Sequence, residues 1–600
     1  MKFPSIFLVP TLTLFAFQAL AEEAPANTTA PAVKPNASAP AAAPTTPAAT
    51  APAAATPVPV TPGPTETLPA PAPVAPAPTF PPAAAPTAAP ELVAPIAPIA
   101  PSNGLAKDGN PLAGWHNDLF FLRDVDDNFR LYVQGRAQVD FYSYAGPGVS
   151  DTSLKPTLFL RRIRPEITGE FFHNWWFSIA GDFGANALDN PDGKNETSAA
   201  APGVAPTDTT GKYASAQTAR ISAAPTDVFL NYRADPLFNV QIGQFDAPFM
   251  MENRTSDKYI PFMERSLAVR DVGISTNKEI GAMFWGEMPD KYWFYSAGLF
   301  NGDGQNKLNT DSNGDILART FVHPLASEKS ELKDLQIGAS FRYGQRDKKF
   351  TNYDYNSFTT QGNYTFWKPT YAGSEGTTHI LPSGAQLGVA GEIRVPISMV
   401  DLTSELVYIH NDTREVQEGF QTGQGVNATS LRRGDMHGVS YYVQAGVWFG
   451  KRDVTGLPGY ENMPHVDFSK PDPVDPPHAL QLLVKWEQVN LKYTGASRAG
   501  IADLKNADGN IKANAFSFGA NYWVSRHIRL TANYVLNMFP DSAPSSATSM
   551  GGPVWSSTNR AQAPGNTLAP ASKDSTRSDD DARNNAHVLH EFLARIAVAL

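Results

Sequence analysis

The sequence predicts an all-β protein: a transmembrane antiparallel β-barrel of about 16 strands, preceded by a disordered Ala/Pro-rich segment. Alternating apolar and polar side chains, the lengths of the connections and an export-type N-terminus predict this class. The clearest alternation occupies residues 129–142, where odd positions are apolar or Gly and even positions are polar, charged or Tyr. Successive strand side chains point to opposite faces, and a tilted strand needs only about 9–11 residues to cross a bilayer. The segment is therefore long enough to span a membrane with one face against lipid.

The first 21 residues have the features of a secretory signal peptide. Lys2 provides the charged start, residues 6–20 form a largely apolar run, and Ala19 and Ala21 flank a small-residue cleavage site. An uncleaved transmembrane helix fits less well, because the run is shorter than the roughly 20 residues that a helical span requires. No later run of about 18 apolar residues follows, and the chain has no Cys. We therefore expect an exported chain without disulfides that is secreted, periplasmic or a β-barrel of the bacterial outer membrane.

Residues 22–102 consist almost entirely of Ala, Pro and Thr. This density of proline prevents a helix, and the few large apolar groups cannot form a core, so the segment is predicted to be a disordered linker. Its simplest role is that of a spacer. The alternative is a periplasmic arm close to peptidoglycan, which would make the protein an envelope-tethering barrel. Residues 103–128 are predicted to be a periplasmic lead-in, and residues 129–600 the barrel itself.

Alternating segments recur along the rest of the chain between turn signals rich in Gly, Asn, Asp and Pro. Short and long connections alternate between them, which is the pattern of outer-membrane barrels. A weak strand at residues 352–360 brings the number of predicted strands to about 16. Residues 301–333 are expected to form one long connection. Residues 450–478 are a long connection on the short-turn side. The other predicted strands are 158–172, 175–183, 227–233, 237–245, 278–286, 291–300, 335–343, 386–394, 401–409, 439–449, 480–486, 516–522, 528–534 and 590–600.

The alternation also predicts which side chains face lipid. A charge on the lipid side near the midplane costs about 2–4 kcal/mol, so Arg136, Arg162 and Arg164 are expected to face the lumen. The same parity places Phe159 and Ile163 against lipid. A barrel of roughly 16 strands is too wide for side chains to fill and is expected to hold an aqueous channel.

Several motifs resemble those of the phosphate-selective porins O and P. They are QFDAPF at residues 244–249, PFMERS at 261–266, GLFNGDG at 298–304, GANYW at 519–523 and HIRLTANY at 527–534. The segment VWFGKR at residues 447–452, with its Pro-containing continuation, is similar to that family as well. The resemblance extends over residues 114–600.

The resemblance implies a sixteen-stranded, usually trimeric outer-membrane porin that passes small hydrophilic solutes, with lumenal cations that attract phosphate or polyphosphate. Guanidinium groups suit phosphate because they are planar, charged and bidentate. Residues 246–277 are expected to fold inward as a constriction loop. The candidate pore-lining and anion-binding residues are Arg130, Arg136, Arg162, Arg164, Arg265, Arg342, Lys485 and Arg529, and those of the constriction loop are Asp246, Arg254, Lys258, Glu264 and Arg270.

The residues leave the selectivity open. The lumenal cations can equally pair with inward carboxylates, namely Asp140, Glu166, Glu170, Asp182, Glu405 and Glu591. Two of the 48 basic and four of the 58 acidic residues precede position 103, so the remaining body has a net charge of −8. A non-selective porin, or one with an acidic lumen and a different preference, is therefore the alternative to an anion channel.

Other classes of function find little support in the sequence. The net charge of −10 offers no basic surface for nucleic acid. No nucleophile elbow, phosphate-binding loop or paired zinc motif occurs, so we expect neither an enzyme nor a resident cofactor or metal. Residues 311–315 begin like a calcium loop but lack its later Gly and Glu. The expected partners are outer-membrane lipid, small anions in transit and two further copies of the chain.

Overall fold

The computed structural model describes residues 104–145, 156–185, 223–274, 276–347, 353–367, 369–373, 376–417, 433–450, 457–460, 463–472, 478–494, 509–539 and 588–600. The predicted signal peptide and Ala/Pro-rich linker lie outside these residues. The strands are β1 Ala113–His116, β2 Leu119–Arg123, β3 Phe129–Ala145, β4 Thr157–Phe171, β5 Trp175–Asp182, β6 Ala224–Asp235, β7 Phe238–Asp246, β8 Lys278–Glu287, β9 Trp293–Phe300, β10 Asp315–Val322, β11 Gln336–Arg346, β12 Phe358–Thr359, β13 Thr365–Trp367, β14 Thr370–Gly373, β15 Gly376–Ile397, β16 Val400–Gln417, β17 Arg433–Phe449, β18 Ala479–Thr494, β19 Gly509–Trp523, β20 Ile528–Met538 and β21 Val588–Ala599.

Sixteen of these strands, β3 to β11 and β15 to β21, form a closed antiparallel barrel. Each pairs with its neighbours in the chain, and β11 pairs directly with β15. The last strand returns to the first, with Arg595 opposite Asp140 and Leu593 opposite Tyr142. Closure gives every strand two partners for its backbone hydrogen bonds, which a sheet in hydrocarbon requires. The predicted all-β barrel is confirmed. Helix in the described residues is limited to a π-helical turn, Ala268–Val272, and a 3-10 turn, Pro289–Lys291.

The number of strands agrees with the prediction, but one of them is a different segment. Residues 315–322, predicted as part of a long connection, form β10, which pairs with both β9 and β11. The weak strand predicted at residues 352–360 does not join the barrel. Only Phe358–Thr359 is extended there, and it pairs with Thr365–Trp367 in a separate two-stranded sheet. The prediction was wrong at both places, because the alternation in residues 315–322 is short and lies between two polar stretches.

Most of the connections at one end of the barrel are short turns, so the barrel has a short-turn end and a long-loop end. Residues 172–174, 236–237 and 398–399 are tight turns at the short-turn end. The connection from β17 to β18 also lies at the short-turn end, although it is 29 residues long. Its described parts, residues 457–460 and 463–472, are named here the mouth segment. No helix in the described residues is long and apolar enough for a membrane crossing.

The lead-in forms a hairpin at the short-turn end. Strand β1 pairs with β2, and β2 continues the sheet by pairing with the start of β3, where Phe120 lies opposite Val133. Arg123 donates two hydrogen bonds to Asp108, at 2.8 and 2.6 Å. These bonds hold the pKa of the Asp108 carboxyl well below its usual range. The residues just before the barrel are thus an ordered extension of the sheet.

A β-bulge in β4 changes the facing of side chains from that predicted. Gln138 lies opposite Arg162, whereas Val139 lies opposite Leu160, so Arg161 is the extra residue. A bulge lets two consecutive side chains point to the same side. Beyond it the parity reverses, and Phe159, predicted to face lipid, points inward and packs edge-on against Tyr142 at 5.1 Å. Leu158 and Leu160 face outward instead, with exposed fractions of 70% and 47%.

The outward face of the barrel is a continuous apolar surface. Side chains such as Phe141, Ile179, Val484, Phe518 and Ile596 are well exposed on it, while their strand neighbours are buried in the lumen. Arginine or lysine at the midplane of such a face costs about 2–4 kcal/mol, and about 0–1 kcal/mol near the interfaces.

We predict that Phe518→Arg, in the middle of β19, lowers the free energy of unfolding by about 2–4 kcal/mol, because it places a charge in hydrocarbon. The control is Asn490→Arg, an outward position near the long-loop end of β18, which is expected to cost about 1 kcal/mol or less. Guanidinium unfolding of the protein in lipid vesicles measures both. Equal losses for the two variants would contradict the assignment of this face to lipid.

Candidate pore and its charged lining

Three stretches of chain occupy the interior of the barrel. Residues 247–274, named the inner segment, follow β7 and contact the inward faces of β4, β11, β16, β18, β19 and β21. Residues 353–367, the inner hairpin, contain β12 and β13, and the mouth segment closes part of the short-turn end. The inner segment folds inward because Phe249, Met250, Ile260 and Phe262 need burial, and all four are at most 1% exposed.

Carboxylates on the barrel wall bind the backbone of the inner segment and inner hairpin. Glu405 accepts hydrogen bonds from the amides of Met251 at 2.6 Å and Glu252 at 2.9 Å. Glu487 accepts from the amide of Leu267 at 2.8 Å. Glu591 accepts from the amide of Gly362 at 3.0 Å. A buried amide that loses its hydrogen-bond partner is costly, so these inward acids fix both stretches of chain.

An arginine and carboxylate network joins the inner segment to β3, β4 and β21. Glu264 accepts from Arg161 at 2.9 Å, Arg162 at 3.1 Å and Arg595 at 3.0 Å. Arg595 also forms a bidentate pair with Asp140 of the wall, both bonds being 2.7 Å. One carboxylate of the inner segment thus lies among three guanidinium groups.

Asp257 is the second anionic centre of this network. Arg136 donates to one of its oxygens, Arg164 donates to the other at 2.7 Å, and Arg162 Nε lies 3.0 Å away. Arg136 lies 3.5 Å from Glu166, and Arg164 donates to Asp182 at 2.6 Å. The predicted pairing of lumenal arginines with inward carboxylates therefore occurs at these positions.

A cavity of about 490 Å³ runs along the inside of the wall from the short-turn end, where Asp118 and Arg526 line it, to the long-loop ends of β6 to β8, where Asp227, Lys278 and Gln305 line it. Both signs of charge line it, and the cations are in excess. The cations are Arg136, Arg164, Arg254, Lys258, Arg265, Lys278 and Arg526, and the side-chain carboxylates are Asp118, Glu166, Asp227, Asp246 and Asp257. Seven cationic against five anionic side chains make the cavity electropositive.

Two of the lining cations have no carboxylate partner within the described part of the chain. Arg265 donates to the carbonyl oxygens of Glu252 at 3.0 Å and Thr255 at 2.8 Å and forms no direct ion pair with a described carboxylate, although Asp246 is close enough to attract it. The ammonium group of Lys258 forms no hydrogen bond or ion pair with any described residue. Both residues lie on the inner segment. That segment therefore provides the lining cations that form no direct ion pair with a described carboxylate.

The remaining residues of the predicted constriction loop have varied surroundings. Lys278 bridges Asp246 at 2.8 Å and Asp227 at 2.6 Å. Arg254 donates to the Asp246 carbonyl oxygen at the cavity wall. Arg270 lies away from the cavity, where it donates to the inner hairpin at Thr359, Thr360 and Asn363 with bonds of 2.7 to 3.0 Å.

Four of the predicted lumenal cations lie elsewhere on the wall. Arg130 is at the short-turn end, bonded to Asp127 at 2.7 Å, and Arg342 is at the long-loop end, bonded to Asp315 at 2.9 Å. Lys485 is buried, 3.4 Å from Glu487 and 4.7 Å from the centre of the Phe262 ring. Arg529 is buried over Trp523 and donates to the Ile260 carbonyl oxygen at 2.9 Å. These last two stabilise the inner segment and do not line the cavity.

The sequence analysis did not identify four charged residues of this region. Arg595 has the same parity as Glu591 and could have been identified from it. Arg161 could not, because only the bulge turns it inward. Asp257 and Lys278 lie on or beside the inner segment, whose path through the barrel depends on contacts with distant strands. Alternation carries no information about such contacts.

A closed sixteen-stranded barrel with an apolar outside and a charged, partly open inside defines a porin of the outer membrane. Residues 131–380 match the family of phosphate-selective porins O and P, which confirms the resemblance predicted from the motifs. The match begins in β3 and ends in β15, so it includes the inner segment and the inner hairpin.

Solved structures of outer-membrane proteins align with this chain at low sequence identity. OmpT of Vibrio cholerae is 9% identical, with 80% of this chain and 100% of that chain covered and a TM-score of 0.41. The channel DcaP of Acinetobacter baumannii is 10% identical over 80% and 99%, with a TM-score of 0.38. The anion-selective porin from Comamonas acidovorans is 10% identical over 79% and 100%, with a TM-score of 0.37. No curated protein matches the sequence. These similarities are too low to bear on solute or selectivity.

We predict that Glu264→Gln destabilises the barrel by about 3–5 kcal/mol, because it leaves three buried guanidinium groups without their shared counter-charge. Glu166→Gln is the control, since that carboxylate is partly exposed and lies 3.5 Å from a single arginine; it is expected to cost about 1 kcal/mol or less. Guanidinium unfolding in detergent measures both variants. A loss for Glu264→Gln no larger than that for Glu166→Gln would show that the network adds little stability.

Proposed function

We propose that this porin allows passive diffusion of small hydrophilic anions, of which phosphate or polyphosphate is the class that its cations suit. The observation that supports an anion preference is the lining of the cavity, where seven cationic side chains face five carboxylate side chains. Lys258 and Arg265 are the lining cations that form no direct ion pair with a described carboxylate, although Glu166 and Asp246 attract them from nearby. The family match supports the same direction through its name alone.

Phosphate is a reasonable solute on chemical grounds. The planar guanidinium donates two parallel hydrogen bonds to an oxyanion, and a lysine ammonium group attracts it as a point charge. Arg136 and Arg164 line the same cavity, so a phosphate beside Lys258 meets several donors. Asp257 forms ion pairs with both arginines, which weakens their attraction for a phosphate. A site with moderate attraction lets an ion enter and leave, as conduction requires.

The inner segment and the inner hairpin narrow the barrel. Another part of the barrel interior is filled by a cluster of buried side chains that includes Phe249, Met263, Tyr364 and Trp367. We therefore expect smaller unitary conductance steps than an open sixteen-stranded barrel would give. In this proposal residues 246–277 act as the constriction.

A porin with little or inverse selectivity is the competing function. Arg130, Arg136, Arg162, Arg164 and Arg342 are all close to carboxylates. Paired charges attract a passing ion only weakly, because the field of each is cancelled by its partner at short range. The unpaired charge of the cavity is therefore the point on which the two proposals differ.

The assembly and the arm remain proposals that follow from the resemblance and the composition. We propose a homotrimer, as the family implies, with the N-terminal linker in the periplasm. Light scattering of the detergent-solubilised protein measures the oligomeric state. Deletion of residues 22–102 tests the tether: a weakened envelope with unchanged conductance would support that role.

We predict that Lys258→Glu shifts the anion-to-cation permeability ratio toward cations by roughly two- to fivefold. Exchanging a positive for a negative charge changes the energy of a monovalent ion about 8 Å away by about 1 kcal/mol in water, and salt reduces this. Reversal potentials in planar bilayers under a salt gradient measure the ratio. Lys258 is preferable to Arg136 for this test, because it is not part of the ion-pair network.

The control is Lys470→Glu, a mouth-segment lysine whose side chain is 74% exposed and which does not line the cavity. It is expected to leave the reversal potential unchanged. A wild-type protein that prefers cations would contradict the anion proposal. An unchanged ratio in Lys258→Glu would remove the cavity from selectivity.

A further inference from the structure

Two histidines and two aspartates form a compact group on the outside of the barrel. Strands β16 and β17 pair so that His410 lies directly opposite His437, and Asp412 directly opposite Asp435. Ile409, Asn411 and Met436, their neighbours along the strands, are buried in the lumen. By strand parity the four polar side chains therefore face outward.

The aromatic side chains below this group place it outside the hydrocarbon layer. Tyr408 precedes His410 on the outward face of β16, Tyr441 follows His437 on β17, and Trp486 packs edge-on against Tyr441 at 5.3 Å. Aromatic girdles mark the boundary between lipid tails and headgroups. The two histidines lie one step beyond it toward the long-loop end, where water and ions reach them.

The side chains converge on one point. The two imidazole rings stack at 5.7 Å between centroids with an interplanar angle of 19°. Asp435 contacts Nδ1 of His437, and Asp412 lies 3.9 Å from Nε2 of His410. One ligand atom from each of His410, Asp435 and His437 lies within 4.8 Å of the others. The side chain of His410 is 44% exposed and that of His437 is 35% exposed, so the group is accessible.

The arrangement is unfavourable for the sheet unless a cation binds. Carboxylates directly opposite each other across an antiparallel pair repel. No cation of the described strands lies directly opposite either aspartate in this register: Arg414 and Arg433, which pair with each other, are diagonal to the aspartates, and Lys492 lies opposite His437. A divalent ion between the two strands would neutralise this repulsion.

We propose that His410, His437 and Asp435 form a surface site for a divalent transition-metal ion of the zinc class. Two imidazole nitrogens and one carboxylate, with water in the fourth position, are a common ligand set for such ions, whereas Mg²⁺ and Ca²⁺ prefer oxygen ligands alone. Tetrahedral ligands about 2.0–2.1 Å from zinc are roughly 3.3 Å apart, so small side-chain rotations complete the site. The bound ion links β16 to β17 near the long-loop end and contacts no part of the lumen.

The test is a titration of the refolded, detergent-solubilised full chain with Zn²⁺ in the presence of a chromophoric chelator. The expected result is one zinc ion per chain, with affinity reduced about tenfold or more in His437→Gln and His410→Gln. Asp435→Asn preserves the shape of the side chain and is expected to weaken binding as well. Circular dichroism and heat-dependent electrophoretic mobility show that each variant remains a folded barrel.

His590→Gln is the matched control. His590 is an outward-facing histidine on β21 that stacks on Tyr534, has no second histidine opposite it, and is expected to leave zinc affinity unchanged. Equal zinc affinity in the wild type and His437→Gln, or displacement of zinc by equimolar Mg²⁺, would overturn the proposal. Reversal potentials are expected to be the same in His437→Gln and the wild type, so this result is independent of the proposed selectivity.

Discussion

The structure depends on the pairing of backbone amides and carbonyls inside hydrocarbon. No lipid group can accept or donate these hydrogen bonds, so each strand needs two neighbours and the sheet must close. The pairing of β21 with β3 provides that closure, and Arg595 with Asp140 reinforces it from the lumen with two bonds of 2.7 Å. Because the outside must be apolar, all the polar recognition chemistry of the barrel wall lies inside or beyond the aromatic girdle.

Most charged side chains in the barrel interior stabilise the inner segment, and only a few are left to attract a solute. Wall carboxylates such as Glu405 and Glu487 hold the inner segment by its amides, and Glu264 and Asp257 hold it through arginines. Most lumenal cations are therefore engaged in positioning the chain that narrows the barrel. The charge that remains for a solute lies on the inner segment itself, at Lys258 and Arg265. The paired lumenal charges thus stabilise the structure, whereas Lys258 and Arg265 are the cations proposed to act in transport.

Local pattern explains why so much of the barrel could be predicted and where the prediction failed. Residues 129–142 alternate without interruption, and their facing is as expected. Residues 157–164 alternate too, but a single extra residue at Arg161 reverses the parity beyond it, which no periodic pattern can reveal. Residues 358–359 have strand composition, yet the barrel position goes to residues 315–322, because only that segment completes the hydrogen bonds of β9 and β11.

The sequence by itself determined most of the strands, most of their lipid and lumen faces and the resemblance to the porin family, since these depend on residues two positions apart and on short motifs. Only the tertiary structure decided which charges neutralise each other, because the partners are far apart along the chain: Arg595 and Asp140 are separated by 455 positions, and Arg162 and Glu264 by 102. The same holds for the zinc-type site, whose two histidines meet through the register of β16 and β17. Register is set by closure of the whole barrel, and no local segment contains that information.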